Sequence, residues 1–364
     1  MKRFDWKLAM TAMAACAAVP ADAQAPQGFD ATAAAIDRLF KAAEAIGGSY
    51  IVMYRAGDRS LARAYGSLDC AGRRRMTEDA LFDGGSLTKL FTAAAVFKLV
   101  ENGKLKLDDR LGDIFPDIAP DKRAITVAQL LAHRSGIPNF LGHGGRALPE
   151  SEWTIEGYDY APVSRAELLS RVSAAPLQFQ PGTKDAYSNT GFSLLAAVIE
   201  TVSGEPYEAY VRRTVLIPAG MQKTGYLLMD RTAPVTQQCR DGRSWGDPLS
   251  RGVWKDGPSW NLIGAGGMMT TVGDLQRFTA AIEDGPLFRP DIRERFQQMT
   301  YGASARCRTS SAALGGSNGM TRSLILHLPR RREALVSVAT RRERALPRES
   351  DMLAILCPDS PGRR

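Results

Sequence analysis

The chain has 364 residues, of which 44% are hydrophobic, and it carries a formal net charge of +8. A chain of this length can bury a large core and divide it between two packed lobes. Past the N-terminus no apolar run reaches the roughly 20 residues of a membrane span, so we predict no membrane-spanning segment. Much of the positive charge comes from arginines near the C-terminus. No nucleic-acid-binding motif accompanies them, and we predict no nucleic-acid partner.

The N-terminal segment has the three-part order of an export signal. A cationic start, MKRFDWK, precedes a short apolar segment, LAMTAMAACAAV, and the small-residue sequence ADA ends at Ala23. We therefore predict a signal peptide over residues 1–23 and export of the mature chain, which would be periplasmic or secreted. An ordinary N-terminal helix is one alternative. A lipoprotein is another, because MAAC at Cys16 resembles a lipoprotein cleavage site.

The mature chain begins with the pattern of a helix followed by a β-hairpin. Residues 31–46, ATAAAIDRLFKAAEAI, have helical periodicity, and the pair Gly47-Gly48 ends it. The next two runs, SYIVMYRAG and RSLARAYGS, are typical of strands and are joined by a Gly-Asp turn.

The middle of the chain, from Ser86 to about Ile282, is mostly helical in pattern. The stretch DGGSLTKLFTAAAVFKLVENGKL, residues 83–105, predicts one amphipathic helix in which a lysine replaces an alkyl side chain. Further helical patterns follow in TVAQLLAH, SRAELLSRV, GFSLLAAVIETV, YEAYVRRTV and TTVGDLQRFTAAI. The last of these opens with a capping box from Thr271 to Asp274.

The C-terminal part returns to strands. SLILHLP and EALVSVAT form a predicted hairpin, and ESDMLAILC a predicted closing helix. Strands at both ends of the chain predict an α+β fold, in which an antiparallel sheet formed from both chain ends is flanked by helices and a mainly helical lobe is inserted. We expect one catalytic domain over residues 24–364, with an α/β lobe at about 30–85 and 296–364 and a helical lobe at about 86–295.

The cysteines predict disulfide chemistry rather than a metal site. Export would place Cys70, Cys239, Cys307 and Cys357 in an oxidising compartment. Four cysteines allow three pairings, and the sequence does not rank them. A zinc site is disfavoured because no two cysteines are closely spaced and the chain has only three histidines. We predict no metal and no organic cofactor.

Ser86 and Lys89 form the first candidate catalytic pair. If the helix begins near Ser86, the hydroxyl lies among free backbone N–H groups at the positive end of the helix dipole, which favours a developing oxyanion. Lys89 follows one turn later on the same face. A neutral lysine there could take the serine proton, but its ordinary pKa is about 10.4, so burial or a nearby cation must lower it. A helix cap with a solvated lysine is the alternative.

A second candidate group, Tyr187-Ser188-Asn189, follows the turn QPGT and opens the helix TGFSLLAAVIE. The tyrosine could relay a proton to the serine, and the amide could bind substrate. A helix cap and a packed aromatic ring are the alternative.

Together these residues resemble the serine β-lactamase and penicillin-binding-protein superfamily, in the branch related to class C β-lactamases, DD-peptidases and their esterase relatives. The resemblance covers most of the mature chain and follows the family's order. It includes the segments LFDGGSLTKLFTAAAVFKLVENGKLKLDDRLGDIFP, ITVAQLLAHRSGIPNF, PLQFQPGTKDAYSNTGFSLLAAVIETVSGEPYEAYV, LIPAGMQKTGY and GAGGMMTTVGDLQRF.

The resemblance implies roles for individual residues. Ser86 would be the acylated nucleophile and Lys89 its base partner. Tyr187 would be a second base or proton shuttle, and Asn189 would hold substrate and steady Lys89. His133 falls in a segment for which the family implies a structural role.

The third motif of the family departs from its usual pattern here. A cationic Lys or His normally precedes a small residue and a glycine on a strand beside the site, whereas LGGSNGM places Leu314 at the cationic position before Gly315 and Gly316. Leucine can neither bind a substrate carboxylate nor repel an ammonium group. The backbone N–H of Ser317, with that of Ser86, would still form the oxyanion hole.

Two short patterns are interpreted as coincidences. KTG at residues 223–225 stands where the family has a structural turn. GGSNG at residues 315–319 matches a nucleophile elbow, but a strand pattern rather than a helix follows it.

We therefore predict an exported serine hydrolase that acts through an acyl-serine intermediate on esters or small amides. One alternative is a β-lactamase or D-alanyl-D-alanine carboxypeptidase that recruits Arg322 or Arg308 in place of the missing cation. A catalytically silent binding protein on the same fold is the other. The expected partner is a small-molecule ester, amide or peptidoglycan-derived substrate.

Overall fold

The structure is a computed structural model that describes residues 28–140, 163–240, 243–244, 249, 258–283, 285–300, 302–304, 309–317, 321–340 and 347–358. The predicted signal peptide, with Cys16 and the cleavage point after Ala23, lies outside the described residues. So do Cys307 and Arg308.

One antiparallel sheet of six strands joins the two ends of the chain. Its strands are β1 (Tyr50–Ala56), β2 (Arg59–Tyr65), β7 (Gly302–Ser304), β8 (Thr309–Ser317), β9 (Arg322–Leu328) and β10 (Glu333–Ala339), in the spatial order β2-β1-β10-β9-β8-β7. Short two-residue strands pair elsewhere: β3 (Phe82–Asp83) with β6 (Met269–Thr270), and β4 (Cys239–Arg240) with β5 (Arg243–Ser244). The central pairing of β1 with β10 confirms the predicted sheet built from both chain ends.

Helices flank the sheet and fill the middle of the chain. In the described ranges the α-helices are α1 (Phe29–Ala45), α2 (Thr88–Glu101), α3 (Leu111–Ile114), α4 (Val127–Leu131), α5 (Arg165–Ala174), α6 (Asn189–Ser203), α7 (Tyr207–Val211), α8 (Val272–Glu283), α9 (Pro290–Thr300) and α10 (Glu349–Leu356). Short 3-10 turns cover Gly85–Leu87, Pro120–Lys122 and Pro329–Arg331, and a π-helical turn covers Arg212–Leu216. The observed mixture confirms the predicted α+β class.

Strand β1 shows why the sheet has helices on both faces. Tyr50, Val52 and Tyr54 alternate into a core with α1 and α10, whereas Ile51 joins the larger core of the helical part of the chain. Side chains alternate between the two faces of a strand, so burial on both faces requires cover on both. Helices α1 and α10 pack together on one face, and α8 contacts β1 and β10.

The helix after the candidate serine differs from its prediction. This segment begins with the 3-10 turn Gly85–Leu87 and continues as α2, in which eleven of the fourteen residues are buried. The prediction of a single amphipathic helix is therefore wrong. Helix α2 contacts α6, α7 and α9, so nearly every side of it is covered. The predicted capping box is confirmed in one of its two bonds: the Thr271 hydroxyl accepts the N–H of Asp274 at 3.1 Å, whereas the Asp274 carboxylate accepts from Lys223 and Thr224.

A disulfide between Cys70 and Cys239 selects one of the three pairings left open by the sequence. It joins residues 169 positions apart in the chain. Cys357 is also disulfide-bonded. Within the described part of the chain, none of the helices has both the length and the apolar character needed to cross a membrane.

Candidate active site

Ser86 lies in a sharply turned segment that several hydrogen bonds fix in place. Gly85 has a φ of +51°, a left-handed conformation that glycine adopts at little cost. The carboxylate of Asp83 accepts the N–H of Gly85 at 2.8 Å, and the hydroxyl of Thr88 donates to the carbonyl of Gly85 at 2.9 Å. The turn is thus held from both sides, and it leaves the Ser86 side chain partly exposed at the start of α2.

Lys89 is the buried member of the predicted pair. Only 7% of its surface is exposed. Its Nζ lies 3.3 Å from Ser86 Oγ and 2.7 Å from Asn189 Oδ1, and it also donates to the carbonyl oxygen of Ala265. Burial lowers the pKa of Lys89 well below its usual value, because the charged form loses its hydration. No carboxylate pairs with Lys89 among the residues that the structure describes.

Tyr187 approaches Ser86 from the other side of the site. The two hydroxyl oxygens are 2.6 Å apart, and the ring centroid of Tyr187 lies 4.8 Å from Lys89 Nζ. Although 49% of the residue is exposed, burial around its hydroxyl raises the pKa of Tyr187 to about 12. The hydrogen bond with Ser86 acts in the opposite direction. Near neutral pH the phenol therefore keeps its proton.

The helix start at Asn189 aims the amide at Lys89. Ser188 caps α6 by accepting the N–H of Gly191 at 3.1 Å, and the backbone N–H of Asn189 donates to Asn139 Oδ1 at 3.1 Å. With its backbone fixed at the first residue of a helix, the 5% exposed side chain of Asn189 points its oxygen to Lys89. The structure thus brings Ser86, Lys89, Tyr187 and Asn189 together, as the predicted site requires.

The hydrogen bonds around Lys89 indicate what the group can do. A neutral amine has two N–H groups and one lone pair. The oxygens of Asn189 and Ala265 can only accept, so both N–H groups are used on them. The lone pair is then left for the third neighbour, Ser86 Oγ, which carries a transferable proton. This arrangement suits a base that removes the serine proton.

Strand β8 borders the turn that carries Ser86. Both β8 and β9 contact the 3-10 turn, and Ser323 of β9 donates to the carbonyl of Gly84 at 3.3 Å. Along β8, Leu314 is paired with Ile325 and Ser317 with Arg322. The predicted third-motif residues Gly315, Gly316 and Ser317 therefore occupy the strand next to the candidate nucleophile, as the family resemblance implies.

Two contacts of the site were not predicted from the sequence. The carbonyl of Ala265 binds Lys89, and the side chain of Asn139 binds the backbone at Asn189. Both residues stand in segments already matched to the family, GAGGMM and SGIPNF. A backbone carbonyl leaves no signal in residue type, however, and Asn139 is an ordinary loop residue in pattern.

The KTG pattern at residues 223–225 lies in a different environment. The hydroxyl of Thr224 lies 2.7 Å from Asp274 Oδ2 and 2.8 Å from the hydroxyl of Thr270, and Thr224 is 1% exposed. These bonds tie the segment to the start of α8. Its polar side chain is thus used inside the fold, in agreement with a structural turn.

A second buried ionisable cluster lies on the sheet. Glu283 Oε1 is 2.6 Å from His327 Nε2 and also accepts from Arg55. All three residues are at most 5% exposed. Burial acts to raise the pKa of Glu283, but the hydrogen bonds from His327 and Arg55 outweigh it and lower that pKa. No group of three or more side chains suited to holding a metal ion occurs within the described ranges.

The profile of the family described as Beta-lactamase matches residues 36–355. The chain belongs to the Beta-lactamase family. This finding confirms the resemblance noted in the sequence and places the chain in a family of serine hydrolases.

Individual relatives within and around this family differ in activity. Esterase EstB of Burkholderia gladioli is 30% identical over 305 residues, which cover 75% of this chain and 76% of the relative. The D-alanyl-D-alanine-carboxypeptidase/endopeptidase AmpH of Escherichia coli K12 is 28% identical over 270 residues, covering 73% of this chain and 65%, just under two thirds, of the relative. A solved class C beta-lactamase superposes with a TM-score of 0.72 at 18% identity, covering 91% of this chain and 97% of that chain. The last likeness concerns the fold alone.

Proposed function

We propose that the protein is an exported serine esterase that acts through an acyl-Ser86 intermediate. The observation that carries the proposal is the position of Ser86 Oγ, which lies 2.6 Å from a protonated phenol and 3.3 Å from a buried amine with a lowered pKa. The hydroxyl thus has a base and an acid within reach at the same time.

In the acylation step, Ser86 Oγ attacks the ester carbonyl carbon while its proton passes to the lone pair of Lys89. The carbonyl π electrons move to oxygen and form a tetrahedral oxyanion. The backbone N–H groups of Ser86 and Ser317 would donate to this oxygen, a role suited to the helix start and to the adjacent strand. We propose that the α/β lobe, at about 30–85 and 296–364, and the helical lobe, at about 86–295, meet at this site.

In the second half of acylation, the carbon–oxygen bond to the leaving alcohol breaks. The departing oxygen takes the phenolic proton of Tyr187, and Tyr187 regains a proton from the ammonium of Lys89. The acyl-enzyme, the alcohol, a neutral amine and a neutral phenol result, so the proton count balances. Water then attacks the acyl carbon, and the same groups return the released proton to Ser86.

Leu314 supports esters over substrates that carry a carboxylate. The register of β8 puts it three residues before Ser317, on the strand beside the 3-10 turn. A leucine offers no charge to a substrate carboxylate. A carboxylate binds a cationic side chain more strongly than it binds a neutral one. An ester needs no such contact and has a better leaving group than an amide. The likeness to an esterase at 30% identity is consistent with this choice.

Export is supported by the order of the N-terminal leader and by the disulfide between Cys70 and Cys239. Disulfides persist mainly in oxidising compartments. We propose that the leader is removed after Ala23 and that the mature chain is periplasmic or secreted.

A carboxypeptidase or β-lactamase is the second candidate. Arg322 is paired with Ser317 across β8 and β9, so an arginine stands at the same end of the strand as the proposed oxyanion donor. Such a residue could receive a substrate carboxylate in place of the missing cation. The likeness to a D-alanyl-D-alanine carboxypeptidase at 28% identity agrees with this candidate.

Three substrate classes distinguish the candidates. We expect the pure protein to hydrolyse short p-nitrophenyl esters, and to turn over a chromogenic cephalosporin or a D-alanyl-D-alanine peptide far more slowly. A fluorophosphonate probe should add to Ser86, as located by peptide mass, and the variant Ser86→Ala should lose both labelling and turnover.

Fast cephalosporin turnover that Arg322→Ala abolishes would favour the second candidate. A folded protein that neither turns over any of these substrates nor takes the probe would favour a silent binding protein and would overturn the proposed function.

A further inference from the structure

We propose that His133 is a positioning residue for Tyr187, and that its neutral imidazole ring and its left-handed backbone hold the phenol against Ser86. The inference rests on the proposed function, because it assigns a further residue to the same reaction.

The first observation is that His133 binds the chain on both sides of Tyr187. Its backbone carbonyl accepts the N–H of Ala186 at 2.9 Å, and its ring nitrogen Nδ1 accepts the N–H of Ser188 at 3.2 Å. One residue thus accepts the backbone N–H groups of the residues before and after Tyr187. The position of the tyrosine backbone then depends directly on this histidine.

The second observation is that the ring of His133 packs against the ring of Tyr187. Their centroids are 4.6 Å apart with an interplanar angle of 33°, and the ring centroid of Phe192 lies 5.0 Å from that of the imidazole. The imidazole therefore supports the aromatic ring as well as the backbone. With both fixed, the phenolic oxygen has little freedom to leave its 2.6 Å contact with Ser86 Oγ.

The third observation is the backbone of His133 itself, which has a φ of +55°. Non-glycine residues seldom adopt this conformation, although asparagine, aspartate and histidine do so more readily than others. His133 stands two residues after the end of α4, and its N–H still donates to the carbonyl of Leu130. The left-handed turn is what directs both the carbonyl and the ring of one residue to the same loop.

The ring must be neutral to do this, since Nδ1 can accept an N–H only when it carries no proton. Burial and, to a smaller extent, the nearby Lys89 together lower the pKa of His133 to about 4, against the hydrogen bond from Ser188, which acts to raise it. Lys89 and Tyr187 are the titratable groups that face the ring from α2 and from the loop before α6. Protonation of His133 would place two donors in opposition and release the loop.

The test uses two substitutions that keep the left-handed backbone. His133→Gly removes the ring and adopts φ > 0 without strain, whereas His133→Asn keeps an acceptor near the position of Nδ1 and also tolerates that conformation. We expect kcat for a p-nitrophenyl ester to fall about 30- to 100-fold in the glycine variant with KM changed less than about threefold, since small misplacements of a reacting group cost about this much. The asparagine variant should recover to within about fivefold of the wild type.

Arg134→Ala is the matched control. Arg134 is the next residue, lies 3.2 Å from Asp185 and binds the carbonyl of Gly182, so it holds the same loop at the surface without touching Tyr187. We expect its kcat to remain within about twofold of the wild type. A folded glycine variant with unchanged kcat, or an asparagine variant no better than glycine, would overturn the assignment.

Labelling of Ser86 by a fluorophosphonate separates this proposal from the esterase proposal, because the probe reports the reactivity of the serine without any ester substrate. If the wild type is labelled but hydrolyses no ester, the esterase assignment fails, while the same ranking of labelling rates still supports the role of His133. Equal labelling rates in the wild type and the glycine variant would contradict it. As the pH falls from about 6 to about 4, the labelling rate of the asparagine variant relative to that of the wild type should rise. Only the wild type has a residue 133 that can be protonated.

Discussion

Two buried clusters of ionisable groups lie against the same fold, and they handle burial in opposite ways. Around Lys89 the structure supplies a hydroxyl, an amide oxygen and a carbonyl oxygen. Around Glu283 it supplies a guanidinium group and an imidazole. Among the described residues, no oppositely charged group pairs with Lys89. The carboxylate of Glu283, in contrast, pairs with the guanidinium group of Arg55.

The difference shows how neighbouring groups decide the charge state of a buried side chain. Burial without an opposite charge favours the neutral form, so the pKa of Lys89 is lowered. In the second cluster, the hydrogen bonds of Arg55 and His327 outweigh burial, so the pKa of Glu283 is lowered and the charged form is kept. Similar burial thus favours a neutral amine in one place and an ion pair in the other.

Removal of the amine should have the largest effect on turnover. We expect Lys89→Met to reduce kcat/KM by about 10³-fold or more, because the serine loses its base. Lys122→Met is the matched control, since Lys122 is 1% exposed but pairs with Asp121 at 2.6 Å. The control should lose stability and keep its turnover number; equal activity losses in both variants would contradict the assignment of Lys89 as the base.

Removal of the phenol should have the next largest effect. Tyr187→Phe should lower kcat about 10²-fold with a smaller change in KM, because only the proton transfer is lost. Tyr207→Phe is its control, because that hydroxyl lies 2.6 Å from Oγ1 of Thr92 in α2 and the residue is 2% exposed. Steady-state kinetics that place both variants within a few-fold of the wild type would argue against a proton relay through Tyr187.

In the second cluster the effect should fall on stability alone. Glu283→Gln leaves Arg55 as a buried charge without its partner, and breaking such a pair costs about 3–5 kcal/mol. We expect chemical denaturation to show a loss of this order, while kcat at a temperature where the variant is folded stays within about twofold. A large drop in kcat at unchanged KM would mean that the cluster takes part in the reaction.

The smallest expected effect is on the pH dependence of folding. Lys89 has a lowered pKa when folded and about 10.4 when unfolded, so between these values the unfolded chain binds the extra proton. Stability should therefore rise with pH through this window, and Lys89→Met should lose that part of the rise. The free energy of unfolding of both proteins at about pH 7 and about pH 9 measures the difference, in which contributions from other groups cancel. A parallel dependence in the two proteins would contradict burial of an unpaired amine.

Much of the fold follows from local pattern. The first helix, both predicted hairpins and the closing helix occur where periodicity and turn residues put them. The two helices each bury one face against the sheet. The exception is α2. Its threonines, alanines and lysine predicted an amphipathic helix with one exposed face. In the structure the surrounding helices cover it on nearly all sides. Tertiary cover of this kind depends on distant segments and has no local signal.

The site was predictable where side-chain chemistry identified it and not where the backbone supplies the contact. Ser86, Lys89, Tyr187 and Asn189 have distinctive types and spacings, and the structure brings them together. The carbonyl of Ala265 and the left-handed turn at His133 are set by the path of the chain. The pairing of Cys70 with Cys239 was likewise open, because 169 positions of chain separate the two residues.

The charge state of Lys89 in the resting protein tests the central claim most directly. Lysine labelled with carbon-13 at Cε reports protonation by its chemical shift, and the Lys89→Met variant identifies the signal. We predict that at pH 7 the Cε chemical shift of Lys89 is that of a neutral amine, while the shifts of the other lysines are those of charged ammonium groups. A Lys89 signal that stays charged at pH 7 and titrates only near about 10.4, the ordinary value, would contradict the account.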